Sequence, residues 1–191
     1  ASITCFCGQF HLTVCRSATY SVLKWEIVGG NGRFAHFDTR MFRGVTILNL
    51  DAKGRMAVPS KYRDRLQQQA NGQLVVTLDM SDPCLLIYPV AEWEDIERKL
   101  VRLPSLNKQA MRIKRLLLGH ASEVELDSHG RILLPPALRE LVKLDKRIIL
   151  LGQGNKFEVW DEQTWNERRD QWLEQTGTDE GLSDELESLS L

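Results

Sequence analysis

The sequence has no apolar run approaching the roughly eighteen residues that a bilayer-spanning helix needs, which excludes such a helix. It lacks a surplus of either charge: 25 Lys and Arg stand against 26 Asp and Glu in 191 residues, for a net charge of −1. On its face that balance argues against a nucleic-acid binder, which usually carries a basic excess. Cysteine is scarce. Cys5, Cys7 and Cys15 cluster near the start and only Cys84 lies beyond them, so the body of the chain reads as cytosolic. No basic residue precedes the first apolar stretch, which Gly8, Gln9 and His11 interrupt, so a secretory signal is not expected. Catalytic signatures are missing too: there is no Gly-x-Ser-x-Gly elbow, no His-Glu-x-x-His helix and no phosphate-binding loop. His120, His129 and Asp127 with Ser122 or Ser128 do not assemble a recognised catalytic pattern, and Gly152-Gln153-Gly154 lacks the helix context of a dinucleotide loop. Cys5, Cys7, His11 and Cys15 depart from the strong zinc spacings. No catalytic residue, metal, cofactor or small-molecule substrate is expected.

What is present is unevenly placed. Residues 98–115 hold seven basic side chains and no acidic one, whereas residues 170–191 hold seven acidic and no basic. The bulk charge is a cancellation. A charge run is by default a solvated face or a loose end, so neither run names a partner alone.

The informative feature is an internal repeat. The segment 51-DAKGRMAVPSKYRDRL-66 matches 127-DSHGRILLPPALRELV-142, with Asp51/Asp127, Gly54/Gly130, Arg55/Arg131, Pro59/Pro135 and Arg63/Arg139 identical. The match continues as 73-QLVVTLD-79 against 146-KRIILLG-152, and as Tyr88 and Trp93 against Trp160 and Trp165. Each copy reads as strand, turn, strand, helix, strand, strand, helix. In the first, Val45–Leu50 is a strand, 51–54 a turn and Met56–Val58 extended, with Pro59 opening a helix that Asn71-Gly72 stops. The strands Leu74–Leu78 and Leu85–Tyr88 follow, then a helix carrying Trp93, Ile96 and Leu100 that Pro104 ends. In the second copy, Leu138, Leu141 and Val142 form the apolar face of the first helix. Between the copies, Ser105–Leu118 reads as a helix with Ser105 as its N-cap and Gly119 at its end. Units this small and strand-poor share one core better than they fold alone, which predicts packing about a pseudo-twofold axis.

In the Asp-x-x-Gly-Arg motif, turn chemistry accounts for Asp51, Gly54, Asp127 and Gly130. It does not ask for Arg55 or Arg131. A guanidinium held on a rigid hairpin can grip phosphate oxygens or a guanine edge, with Lys53 at the tip of the first turn and His129 at the second. It can equally pair with the aspartate of its own turn, and the residues alone leave both readings open. Arg63 and Arg139 read as helix-surface partners of Asp64 and Glu140. The basic helix with Lys108, Arg112, Lys114 and Arg115 suits either DNA or an acidic neighbouring subunit.

From Met41 onward, 41-MFRG-44, 49-NLDAKGRMAVPSKYR-63, 115-RLLLGHASE-123, 127-DSHGRILLPPALR-139 and 156-KFEVWDEQTW-165 resemble the MraZ family of bacterial transcriptional regulators, encoded at the start of the division and cell-wall gene cluster. The resemblance implies an α+β, β-rich fold of two pseudo-twofold-related, AbrB-like swapped-hairpin units sharing one core, with flanking helices. It implies a DNA-binding repressor of its own operon that works as a homo-oligomeric ring on short direct repeats, in the cytoplasm and at the nucleoid. Arg55 maps onto the family's DNA-binding arginine and Arg131 is its copy, with Lys53 and Arg43 expected to contribute. The expected layout is an extension over 1–40, disordered or a mis-started leader; a first repeat over 45–92; a helical linker over 93–120; a second repeat over 121–164; and a helix with an acidic tail over 165–191. The competing class is an oligomeric scaffold, or an antitoxin-like AbrB relative whose acidic tail holds a basic partner.

Overall fold

The computed structural model describes residues 4–7, 10–13, 24–26, 41–104 and 106–175. The chain divides into two units, Ala1–Asp38 and Thr39–Leu191. In the first, β1 (Thr4–Cys7), β2 (Phe10–Thr13) and β3 (Lys24–Glu26) form an antiparallel sheet in that order. The side chains of Cys5, Cys7, His11 and Cys15 lie outside the described residues, as does most of the expected extension.

The second unit reads out the repeat. The first copy supplies β4 (Phe42–Asn49), β5 (Arg55–Ala57), α1 (Ser60–Ala70), β6 (Gln73–Leu78), β7 (Leu85–Pro89) and α2 (Val90–Val101). After α3 (Lys108–Leu117), the second copy supplies β8 (Ser122–Glu125), β9 (Arg131–Leu133), α4 (Pro136–Leu141), β10 (Arg147–Gly154), β11 (Lys156–Asp161) and α5 (Glu162–Gln175). The main sheet is antiparallel with order β4-β10-β11-β7-β6-β8, and β5 pairs separately with β9. Exchanging the copies reverses this order onto itself. The first strand of each copy lies beside the third strand of the other, β4 on β10 and β8 on β6, while β7 and β11 meet at the centre. The hairpins are therefore swapped between copies.

Both faces of the sheet are covered, so its central strands are apolar on both sides. Under α1, α4 and the β5–β9 ribbon lies a core that includes Phe42, Met56, Tyr62, Leu85, Ile132, Leu134 and Phe157. On the opposite face Val75, Leu86, Tyr88, Ile149 and Trp160 pack against Trp93, Ile113, Leu117 and Trp165 from α2, α3 and α5. Strand alternation sorts them: Leu74 and Val76 face one layer, Val75 the other. Cys84 is a buried free thiol whose pKa burial pushes up, so it is a packing residue here.

Two local expectations are corrected. The linker helix begins at Lys108, and Asn107 is its N-cap: its side-chain oxygen accepts from the N–H groups of Gln109 and Ala110 at 2.8 and 3.2 Å. Asparagine satisfies two orphan helix donors there, so Ser105, which lies outside the described residues, is not the cap. On α4, Leu138 and Val142 are buried but Leu141 is 55% exposed, because so short a helix offers one turn to the core and Leu141 falls past its edge.

Met56 and Ile132 sit opposite each other at the centre of the ribbon, each 1% exposed. Truncating either to Ala should destabilise the unit by about 2–5 kcal/mol. Because they touch the same core, the double variant should depart from additivity by at least about 0.5 kcal/mol. Urea unfolding followed by fluorescence and circular dichroism measures both; full additivity would contradict a core shared between copies.

Candidate nucleic-acid interface

The two Asp-x-x-Gly-Arg turns have the same construction. Asp51 Oδ1 accepts from the N–H groups of Lys53 and Arg55 at 2.9 and 3.0 Å, and the Gly54 N–H donates to the Asp51 carbonyl at 2.9 Å. Asp127 Oδ1 accepts from His129 and Arg131, both at 2.8 Å, and Gly130 closes the second turn. Gly54 and Gly130 have φ of +79° and +73°, a conformation costly for any residue with a Cβ.

Of the two readings for the arginines, the structure displays the intramolecular pair. Arg55 donates from Nε to Asp51 Oδ2 at 2.7 Å, with Nη2 also 2.7 Å away. Arg131 does the same to Asp127 at 2.9 Å through both nitrogens. Each arginine side chain is still about 30% exposed. The pair therefore fixes a planar donor without sealing it, and the aspartate cancels part of its charge. In both turns the arginine backbone N–H is the largest cause holding the aspartate carboxyl down at about 2; partial desolvation opposes it, and the guanidinium adds to it.

The ribbon sets the two arginines relative to each other. Its pairs are Arg55 with Leu133, Met56 with Ile132 and Ala57 with Arg131. Met56 and Ile132 point into the core, so Arg55, Ala57, Arg131 and Leu133 share the outward face. The arginines occupy opposite corners, with a diagonal separation of roughly 7–8 Å between backbones. The turns cap the two ends of the ribbon, Lys53 exposed on one and His129 on the other.

Arg63 and Arg139 do something the sequence did not suggest. Neither pairs with Asp64 or Glu140 among the described residues. Each crosses to the turn of the opposite copy. Arg139 Nε donates to the Leu134 carbonyl at 3.1 Å and its guanidinium lies over Gly54, where a Cβ would come within 2.5 Å of Cζ. Arg63 Nε donates to the Val58 carbonyl at 2.7 Å and lies over Gly130 in the same way. Their identity in both copies was the signal available, since a plain helix-surface residue has no reason to repeat. Each ribbon end thus carries a turn arginine, a tip residue and a crossing arginine from the other copy.

Arg43 is not brought to this surface. It lies at the start of β4, roughly 25 Å of strand away from the Asp51 turn, and its carbonyl accepts from the Tyr62 hydroxyl on α1. The basic linker helix is partly engaged in structure as well: Lys114 Nζ donates to the Val101 and Leu103 carbonyls at 3.1 and 2.8 Å, tying down the end of α2. Among the described residues no group of His, Cys, Asp and Glu could hold a metal ion, and no helix is long and apolar enough to cross a membrane.

A family model described as "MraZ protein, putative antitoxin-like" matches residues 41–116 and again 117–182. The chain belongs to the MraZ family. It is 57% identical over 152 residues to the Transcriptional regulator MraZ of Halorhodospira halophila, covering 79% of this chain and all of that relative. The Transcriptional regulator MraZ of Thioalkalivibrio sulfidiphilus is 58% identical over 151 residues, and that of Alkalilimnicola ehrlichii 56% over 151, each with 79% of this chain and the whole relative covered. The double match coincides with the repeat, and the α+β fold of mostly antiparallel sheet is that expected for the family.

Two measurements test the turn chemistry. Gly54→Ala should destabilise the unit by about 1–2 kcal/mol, because it forces a Cβ into left-handed backbone and displaces Arg139, with Gly54→Asn milder. Denaturant midpoints decide the ranking. The depressed aspartate pKa values imply stabilisation fully present above about pH 4 and lost as pH falls through about 2. A carboxyl NMR titration of Asp51 with its midpoint near 3.8 would contradict the geometry.

Proposed function

We propose that the chain is a sequence-specific DNA-binding transcriptional regulator that presents the outward face of the β5–β9 ribbon and its two turns to the duplex. The observation that carries this reading is the pair of arginines, Arg55 and Arg131, fixed by their own aspartates on one exposed ribbon face, with Arg139 and Arg63 laid over the neighbouring glycines. A two-stranded antiparallel ribbon fits the major groove, and a planar guanidinium suits either phosphate or the paired acceptors of guanine. Relatives named as transcriptional regulators over their full length support the same reading.

Within it, Arg55 reads base edges, Lys53 and Arg139 contact phosphate beside it, and Arg131 with Arg63 forms the matching half. His129 in place of a lysine makes the second half the weaker. Arg43 is left out because the strand carries it away from the ribbon. The molecule has no basic surplus, so one copy should bind poorly. A homo-oligomeric ring acting on evenly spaced direct repeats would supply the missing affinity through effective concentration. The regulated site is then its own promoter in the division and cell-wall cluster, and the protein works at the nucleoid in the cytoplasm as a repressor.

Gel-shift titration on DNA from its own upstream region tests this. Arg55→Ala should weaken binding by about 1–3 kcal/mol per contacted repeat, while Arg43→Ala should leave it unchanged. Wild-type affinity should fall steeply with salt, and Lys53→Ala should reduce that slope by about one counterion. An Arg55→Ala protein matching wild type at moderate salt would sink the proposal.

A further inference from the structure

The pseudo-twofold symmetry of the sheet is broken at one end. On the face carrying Trp93 and Trp160, α2 and α3 cover β7 and β6, while α5 covers β11 and β10. At the β8 end, Ala121 is half-buried against this layer beside Leu117 and Leu118. Its repeat mate at the other end is Val45. Val45 is 52% exposed and Ile47 is 57% exposed, although Ile149, the register partner of Ile47 on β10, is 3% exposed. No described element does for β4 what α3 does for the opposite end.

The sequence contains a candidate for that place. The offset that aligns Tyr88 and Trp93 with Trp160 and Trp165 carries α3, Lys108–Leu117, onto residues 180–189, EGLSDELESL. The buried Ala110 maps onto Leu182 and the half-buried Leu117 onto Leu189, and Leu186 between them completes an i, i+4, i+7 apolar stripe. Residues 176–179, with Gly177 among them, match the usual length of a helix–helix connection. The charges reverse together. At the covered end the basic α3, with Lys108, Arg112 and Arg115, accompanies a strand bearing Glu123 and Glu125. At the open end the outward face of β4 bears Arg43 and that of β10 bears Arg147, which pairs with Glu162 of α5 at 2.7 Å while its side chain stays 59% exposed, and the segment bears Asp184, Glu185 and Glu187.

We propose that residues 180–191 close the open end of the sheet within the same chain, seating Leu182, Leu186 and Leu189 on Val45 and Ile47 of β4. The acidic segment is then the second copy's counterpart of the linker helix, and its carboxylates face Arg43 and Arg147. Covering β4 also blunts an exposed apolar sheet edge, a feature that otherwise invites pairing between molecules.

Disulfide trapping in the full chain, without DNA, tests this independently of the regulatory reading. Cys5, Cys7 and Cys15 are changed to Ser and Cys84 to Ala, and Ile47→Cys is combined with either Leu186→Cys or Asp184→Cys. The Leu186 pair should form an intrachain cross-link at least about fivefold more than the Asp184 pair, which lies on the opposite side of a helix. Equal yields, no cross-link, or predominantly interchain dimers would overturn the proposal, the last showing that a second copy covers β4. A variant that leaves the cysteines and the core intact, Leu182→Asp with Leu186→Asp, should speed amide exchange over residues 44–48 by about tenfold or more. Unchanged exchange there would also overturn it.

Discussion

The second unit rests on a reciprocal exchange at the short ribbon. The Val58 N–H donates to the Gly130 carbonyl at 2.9 Å, and the Leu134 N–H donates to the Gly54 carbonyl at 3.1 Å. Each turn is thereby tied to the strand leading into the other copy's helix. Arg63 and Arg139 repeat the exchange with side chains, each crossing to the turn it did not grow from. Neither copy can satisfy these groups alone, and beneath them Met56 and Ile132, one from each copy, are buried opposite each other. The swapped order of the main sheet follows from the same constraint, because a strand that enters the ribbon from one copy leaves it beside the other.

This arrangement also governs the charged surface. A hairpin held at one end would leave its arginine to sample many rotamers, and gripping DNA would then carry the full ordering penalty. Here the aspartate orients the guanidinium, the turn fixes the aspartate, and the opposite copy pins the glycine. The price is partial neutralisation of each cation. A surface so built favours directed hydrogen bonds over bulk attraction, which fits a molecule whose net charge is −1.

Duplication gives the sheet two equivalent ends, and the ends carry opposite chemistry. One is acidic on the strand and basic on the helix that covers it. The other is basic and apolar on the strand, and the chain that follows α5 is acidic with leucines at helical spacing. If the acidic segment takes the place proposed for it, charge reversal of this kind would direct it and the linker helix to different ends of a nearly symmetric sheet, since the wrong placement would set like charges together.

The order of elements was written in the sequence. Alternation, the Asp-x-x-Gly turns, Pro59 and Pro135, and the Asn71-Gly72 stop are local signals, and each acts within a few residues of itself. The repeat also showed that two copies share a core, and its motifs pointed to the family. Three things were decided only by tertiary structure. Arg63 and Arg139 cross to opposite turns because the swap brings those turns to them, which no spacing along one helix could reveal. Arg43 is carried away from the Asp51 turn because the length of β4 lies between them. Asp51 and Asp127 capture Arg55 and Arg131 because the turn closes with their side chains on one side, whereas the sequence permitted free and paired arginines alike. Local chemistry fixed what each segment would become; which segments meet depended on contacts between residues far apart in the chain.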